Sequence, residues 1–442
     1  MNATLTLEQQ VIKSIVRRAR AAAHRLGTLP DKIRRDALNT AADALLSRKA
    51  EILSANVLDT RAAMDLVQQH RLSSASIARL KTTEQTILDM VLRVRTVAAL
   101  PDPIGSVLEA TELDRGLRLY RVSCPIGVIA VVFESRPDVI PQIASLTLRA
   151  GNVVIFKGGR EAAHTNWVLN RIWCDALAEF PEIPPNTVNL LKTRDEVAAL
   201  LDLEEGIDLV IPRGSKEFVR HISSKTRFPV LGHGEGVCHV YVDRSANLAK
   251  ALDIAFDSKV QYPAACNSME TLLVHRDVAT TFLPDIVNRF LAANVEMRGC
   301  TETIALIADK EIVLASEEDW STEYSELIVS IRIVDNDTQA IEHIQRYGSG
   351  HTEAIVTEDH HVAQRFTDSI DAAGVYVNAS TRFADGYRYG MGAELGISTG
   401  KLHARGPVGL QGLTSYKYKL FGDGHTVASY TSGERQFKHR RL

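Results

Sequence analysis

Cys266 lies in the segment Val-Gln-Tyr-Pro-Ala-Ala-Cys-Asn-Ser-Met-Glu (260–270), between a predicted helix and a predicted strand. A thiol at such a junction, flanked by small residues and by Asn267, is placed to be approached by a ligand. A single thiol taken alone reads as readily as a buried structural residue, because free cysteines are among the most buried residue types. The remaining cysteines (124, 174, 238 and 300) are widely spaced and contain no C-x-x-C pair. Neither a zinc site nor a redox dithiol is suggested, and no metal is expected. The odd count suits reduced thiols in a cytoplasmic enzyme better than a disulfide framework.

Two other places could hold a nucleotide. The predicted strand 153–156 runs into Lys157-Gly158-Gly159-Arg160, and the predicted strand 207–211 runs into Pro212-Arg213-Gly214-Ser215 and a helix. Both lie at carboxyl ends of parallel strands, the usual ligand edge of such sheets. Gly214 and Ser215 at a helix start offer backbone N–H groups to a phosphate, and Lys157 and Arg160 add positive charge. Taken singly, each is also an ordinary strand-to-helix connection. Three glycine-rich stretches imitate nucleotide motifs without completing them: Gly232-His-Gly234-Glu-Gly236, Gly390-Met-Gly392, and Gly396-Ile-Ser-Thr-Gly400-Lys401. They read as turns or close backbone approaches.

The elements that must position these residues follow from hydrophobic periodicity. Residues 1–100 are helical in pattern, and Pro101, Pro103 and Gly105 end it. Residues 107–123 alternate like a hairpin turning near Asp114-Arg115-Gly116. From residue 126 the rhythm is strand–helix–strand, with strands at 126–133, 153–156, 187–191 and 207–211. A second series follows Pro229, with strands at 239–242, 271–274, 327–334, 354–356 and 375–378. Two successive doubly wound units imply a cleft between them, where ligands usually sit. The chain has 442 residues, 45% hydrophobic and 24% charged, with a net charge of −3. That composition gives no reason to expect nucleic acid or a membrane surface as partner. No secretory signal or membrane span is expected.

These pieces in order resemble the aldehyde dehydrogenase superfamily, and more closely its branch that reduces an acyl phosphate. The residues that carry the resemblance are CPIGVIAVVFESRPD (124–138), FKGGREA (156–162), VLGHGEGVCHVYVD (230–243), GSGHTEAIVTED (348–359), VYVNASTRFADG (375–386) and MGAELGISTGKLHARGPVGLQGLTSYKY (391–418). The resemblance covers roughly residues 10 to 425. It implies an α/β, aldehyde-dehydrogenase-like fold of two doubly wound α/β domains. The expected organisation is an NADP-binding domain (1–106 and 124–229), a catalytic domain (230–400), and an oligomerisation hairpin and tail (107–123 and 401–442).

The resemblance further implies NADPH-dependent reduction of L-glutamyl 5-phosphate to L-glutamate 5-semialdehyde and phosphate, in proline biosynthesis. Cys266 would be the nucleophile that forms a thioester. The oxyanion would be held by the Cys266 N–H and by the Asn267 amide or a group in Glu134-Ser135-Arg136. Lys157, Arg160, Gly214, Ser215 and Glu323 would bind NADP(H). Glu134, Arg136, His351, Asn378, Ser380 and Arg382 are candidates for the substrate. Because His351 follows Gly348-Ser-Gly350, it is expected on a loop facing the cleft. A homo-oligomer is expected, with Tyr416, Tyr418, Leu420 and Phe421 on an edge strand, and glutamate 5-kinase as a partner.

Two departures from ordinary aldehyde dehydrogenases sharpen the expectation. Gly232 stands where those enzymes carry the glutamate that activates water, and Glu235 is displaced by three residues. The loss suits a thioester that exchanges with phosphate. Arg160 stands where NAD-preferring members have an acid, so a 2′-phosphate is attracted rather than repelled. A hydrolytic NAD(P)-dependent aldehyde dehydrogenase is the alternative enzyme reading. A non-catalytic scaffold or kinase partner is the alternative of another class, and it predicts loss of the nucleophile.

Overall fold

The structure is a computed structural model that describes residues 6–69, 77, 79–232, 234–307 and 312–442. The helical pattern of the first hundred residues becomes α1 (Leu7–Leu26), α2 (Asp31–Ser47), α3 (Lys49–Gln68) and α4 (Glu84–Ala99). The start of α1 is set by a capping box: Gln9 N donates to Thr6 Oγ1 at 3.2 Å, and Thr6 N donates to Gln9 Oε1 at 3.0 Å. The chain divides into two compact units. One takes the chain up to Leu231 together with Met391–Leu395 and Val408–Leu442, and the other takes Gly232–Gly390 and Gly396–Pro407.

The first unit carries the hairpin β1 (Val107–Asp114) and β2 (Leu117–Pro125), then β3 (Val128–Phe133), α5 (Val139–Arg149), β4 (Val153–Lys157), α6 (Ala163–Ala178), β5 (Val188–Leu190), α7 (Arg194–Leu201), β6 (Leu209–Arg213) and α8 (Lys216–Lys225). Its parallel sheet has the order β5-β4-β3-β6. All residues of β3 and β4 are buried, as their continuous apolar runs require. A 3₁₀ turn, Arg160–Ala162, precedes α6.

The second unit holds β7 (Cys238–Val242), α9 (Leu248–Val260), β8 (Met269–His275), α10 (Arg276–Ala292), β9 (Glu296–Gly299), α11 (Thr301–Ile307), β10 (Ile312–Leu314), β11 (Ile328–Val334), α12 (Asp337–Tyr347), β12 (Thr352–Val356), α13 (His360–Ser369) and β13 (Gly374–Val377). The seven strands form a parallel sheet in the order β10-β9-β11-β8-β7-β12-β13. β9, α11 and β10 were missed by periodicity, because strands of four and three residues are too short to show a period. The unit's core packs Val240, Leu272 and Ile331 of the sheet against Phe282, Ile286 and Phe290 of α10.

A two-residue pair, β14 (Ile397–Ser398) and β15 (Gly406–Pro407), belongs to the second unit. In the first unit the hairpin joins an antiparallel sheet with β16 (Thr414–Phe421) and β17 (Arg440–Arg441), in the order β16-β2-β1-β17. β16 pairs with β2 along its whole length, from Thr414↔Pro125 to Phe421↔Arg118. The expected tail 401–442 is therefore not one piece: 401–407 folds with the second unit and 408–442 with the first.

Candidate active site

The nucleophile's loop is anchored at both ends. Lys259, in the last turn of α9, meets Glu270, at the start of β8, with Nζ 2.6 Å from Oε2. Both side chains are sealed from solvent. Burial pushes the Glu270 carboxyl up and the Lys259 ammonium down, and each is drawn back by the other. Residues 261–268 must turn between these two fixed points. Ala265 N donates to Tyr262 O at 3.2 Å and Ser268 N to Ala265 O at 2.8 Å, which leaves Cys266 half-buried at the turn.

Two other segments press on that turn. Gly236 packs so closely that a Cβ there would strike the Cys266 carbonyl, so this position of the G-x-G-x-G stretch serves close backbone approach. Two residues on, the Cys238 thiol donates to Cys266 O at 3.3 Å. Burial, followed by the charges of Glu353 and Cys266, raises the Cys238 thiol well above its ordinary range, so it stays protonated. From β12's end of the sheet comes His351, whose Nε2 lies 3.2 Å from Cys266 Sγ. Its Nδ1 lies 2.9 Å from Thr352 Oγ1 and 3.7 Å from Cys238 Sγ. β7 and β12, which bring Cys238 and Thr352 here, are locked by a buried pair: Glu353 Oε2 accepts from His239 N at 2.9 Å and lies 2.8 Å from His239 Nδ1.

His351 lies, as expected, in the connection after Gly348-Ser-Gly350, one residue before β12; the correction is that its side chain is fully buried, with its outer nitrogen pointing at the sulfur. An imidazole in that position can accept a thiol proton or donate to a thiolate, which are the two halves of Cys–His nucleophile chemistry. Nothing in the local sequence announces it, because the partners lie 85 residues apart.

The other expected residues of the second unit are placed as follows. Asn267 is buried and its Nδ2 donates to Ala384 O at 2.8 Å. Asn378 sits in the left-handed region (φ 54°) with both amide ends on one residue: Thr357 N donates to Oδ1 at 3.0 Å and Nδ2 donates to Thr357 O at 2.8 Å. Ser380 is buried and caps the 3₁₀ turn Thr381–Phe383, accepting from Arg382 N at 3.2 Å, with its hydroxyl 3.1 Å from Ser258 Oγ. These two polar groups are occupied in holding backbone. Arg382 is nine-tenths buried, with Nε donating to Gln261 Oε1 at 2.9 Å. Glu323 is half-buried, and its charge is felt by the Lys259–Glu270 pair.

The first unit gathers the remaining candidates at the carboxyl ends of its strands. Lys157 ends β4 and is buried, its ammonium donating to the Gly158 carbonyl. Burial lowers its hold on the proton. Arg160 is exposed on the following 3₁₀ turn, and Arg136 is exposed beyond β3. Ser215 caps α8, its Oγ accepting from Phe218 N at 3.3 Å, and its own N–H donates to Glu134 Oε2 at 3.3 Å. Glu134 therefore sits over Gly214 and Ser215 as a carboxylate on a helix start. A buried ammonium satisfied by one carbonyl and an exposed guanidinium beside it fit a ribose hydroxyl and a phosphate.

A doubly wound pair of parallel sheets with a cysteine at a helix–strand turn is the arrangement of one enzyme class. The aldehyde dehydrogenase family model matches residues 3–310, and the chain belongs to that family. It is an oxidoreductase acting on an aldehyde, and a nicotinamide cofactor goes with that class. The chain is 52% identical over 425 residues to a γ-glutamyl phosphate reductase of Natronomonas pharaonis, covering 96% of each chain. The crystal structure of γ-glutamyl phosphate reductase from Thermotoga maritima is 39% identical, with a TM-score of 0.90 over 94% of this chain and 99% of that one. A glyceraldehyde-3-phosphate dehydrogenase from Methanocaldococcus jannaschii, solved with NADP, shares the fold at 16% identity, with a TM-score of 0.65 over 95% of this chain and 96% of that one.

Proposed function

We propose that this chain reduces L-glutamyl 5-phosphate to L-glutamate 5-semialdehyde with release of phosphate, a step of proline biosynthesis. The observation that carries the chemistry is the 3.2 Å approach of His351 Nε2 to Cys266 Sγ, in a chain about half identical, nearly end to end, to γ-glutamyl phosphate reductases. His351 takes the thiol proton. The Cys266 thiolate attacks the acyl carbon, the carbon–oxygen bond to phosphate breaks, and a thioester remains on Sγ. The Cys266 N–H and the second amide hydrogen of Asn267 hold the oxyanion. A reduced nicotinamide, held by Lys157, Arg160, Gly214 and Ser215, would supply the hydride to the thioester carbon, giving a thiohemiacetal on Sγ. Collapse of that adduct frees the aldehyde and returns a proton to the Cys266–His351 pair. Gly232 in place of a water-activating carboxylate leaves phosphate, not water, as the acceptor in the reverse direction.

Lys157, Arg160, Gly214 and Ser215, with Glu323, are the residues we assign to the cofactor. The exposed Arg160 favours the 2′-phosphate of NADP(H) over NAD(H). We further propose a homo-oligomer built on the β16 edge, working in the cytoplasm with glutamate 5-kinase as the source of its substrate. The described cysteines are all free, which suits a reducing compartment.

The test runs in the oxidative direction. Glutamate semialdehyde with NADP⁺ should give cofactor reduction that requires phosphate or arsenate, faster than with NAD⁺, and Cys266→Ser should abolish it. Acid formation without phosphate would support the hydrolytic alternative and defeat the proposal.

A further inference from the structure

The second unit holds a cavity of about 180 Å³ lined by Asp257, Gln261, Arg382, Phe383 and Arg388. Its charge is unbalanced in a way the fold does not explain. Arg382 is 7% exposed, and the groups its guanidinium touches are neutral: Nε donates to Gln261 Oε1 at 2.9 Å, and the Tyr262 ring centre lies 5.8 Å away. Arg388 reaches back to donate to the Arg382 carbonyl at 2.5 Å, which brings a second cation to the same wall. A buried cation beside a like charge is costly unless an anion or a strong acceptor completes it. Burial, then Arg388, weakens the Arg382 guanidinium's hold on its proton, against the opposing charges of Cys266, Asp385 and Asp257. Asp257, exposed on α9, lines the same cavity and offers a carboxylate.

The cavity belongs to the nucleophile's own surroundings. Asp257 stands in the last turns of α9, and Gln261 opens the turn that leads to Cys266. Arg382 and Phe383 come from the 3₁₀ turn Thr381–Phe383, and the next residue, Ala384, accepts the hydrogen bond from Asn267. The Cys266 charge is among those felt by Arg382. Two guanidiniums and one carboxylate complement an α-carboxylate beside an α-ammonium. They do not complement a phosphate, which Asp257 would repel.

We propose that this cavity is the head-group pocket: Arg382 and Arg388 take the α-carboxylate of the glutamyl substrate, and Asp257 takes its α-ammonium. This rests on the reading of the substrate given above. It keeps Arg382 from the sequence candidates, adds Arg388 beside it, and moves the ammonium from Glu134, which already caps α8, to Asp257.

The test compares three aldehydes with NADP⁺ and saturating phosphate: glutamate semialdehyde, 5-oxopentanoate, which lacks the ammonium, and butanal, which lacks both groups. Arg388→Gln should cut the preference for glutamate semialdehyde over butanal roughly tenfold or more, mainly through KM. Asp257→Asn should cut the preference for glutamate semialdehyde over 5-oxopentanoate by about the same factor. Because loss of the buried Arg382 risks the fold, Arg382→Lys is the third variant. It keeps the charge but not the two-pronged grip, so its preference over butanal should fall as well. Equal losses on all three aldehydes, or a raised KM for phosphate in place of the aldehyde, would overturn the assignment. Failure of the parent protein to show phosphate-dependent turnover of glutamate semialdehyde would instead strike the underlying reading, so the two failures are distinct.

Discussion

At the scale of the residue, the proposed reactive pair is Cys266 and His351, 3.2 Å apart. The imidazole is buried and hydrogen-bonded on both nitrogens, so its approach to the sulfur is set by Thr352 and Cys238 on the far side of the ring. Replacing it by asparagine removes the proton acceptor from beside the sulfur. His351→Asn should lower kcat/KM by about a hundredfold and move the acid limb of its pH profile upward. Alkylation of Cys266 by iodoacetamide at neutral pH should slow in parallel. A variant whose pH limb and alkylation rate match the parent would show that the imidazole only fills space. The sequence made Cys266 a candidate because small residues and Asn267 surround it within a few positions. It could not pair the sulfur with His351, because no local pattern links residues 85 apart.

At the scale of the element, α12 shows how the catalytic sheet is held. Its start is capped by Asn336, whose Oδ1 accepts from Gln339 N at 3.0 Å. Its buried face includes His343, wedged among Trp320, His239 and Tyr347 with ring centroids 5.4, 5.4 and 4.7 Å away. Arg332 Nη1 donates to His343 Nδ1 at 3.0 Å, which requires a neutral ring. Burial, then the charges of His239, Arg332 and Arg346, push His343 down to about 2 from 6.5. The unfolded chain thus binds a proton below pH 6.5 that the folded chain refuses. This contribution to stability is complete above pH 6.5 and is lost as pH falls, by up to about 1.4 kcal/mol per unit. Urea titrations of the parent and of His343→Gln, which keeps an acceptor for Arg332, should differ in slope against pH between 6.5 and 5. The parent should lose about 2 kcal/mol more over that window. Parallel slopes would mean that His343 already takes up its proton in the folded state.

At the scale of the whole molecule, the first unit's antiparallel sheet ends in an open edge. β16 bonds to β2 on one side, and its outward-facing Tyr416, Tyr418 and Leu420 are all more than half exposed. Edge strands of this length and apolarity are usually covered. The proposed oligomer covers it with another copy of the chain. Leu420→Glu should then shift the light-scattering mass towards the monomer while leaving the far-ultraviolet circular dichroism of the protein intact. A parent protein that is monomeric at micromolar concentration would remove the proposal.

Much of the architecture was readable in the order of residues. Continuous apolar runs marked β3 and β4, three- and four-residue steps marked the helices, and the breaks at Pro101 and Pro229 marked the transitions. The two candidate nucleotide loops and the candidate cysteine were picked out for the same reason: each is announced within ten residues by small side chains at a strand or helix end. What only the tertiary structure decided is everything that depends on neighbours distant along the chain. The short strands β9 and β10 exist because their longer neighbour β11 pairs with β9. His351 meets a sulfur because β12 lies beside β7. Arg382 is a buried cation because the turn that carries it folds against the end of α9. Periodicity reports which face of an element is apolar, and it carries no record of which other element that face will meet.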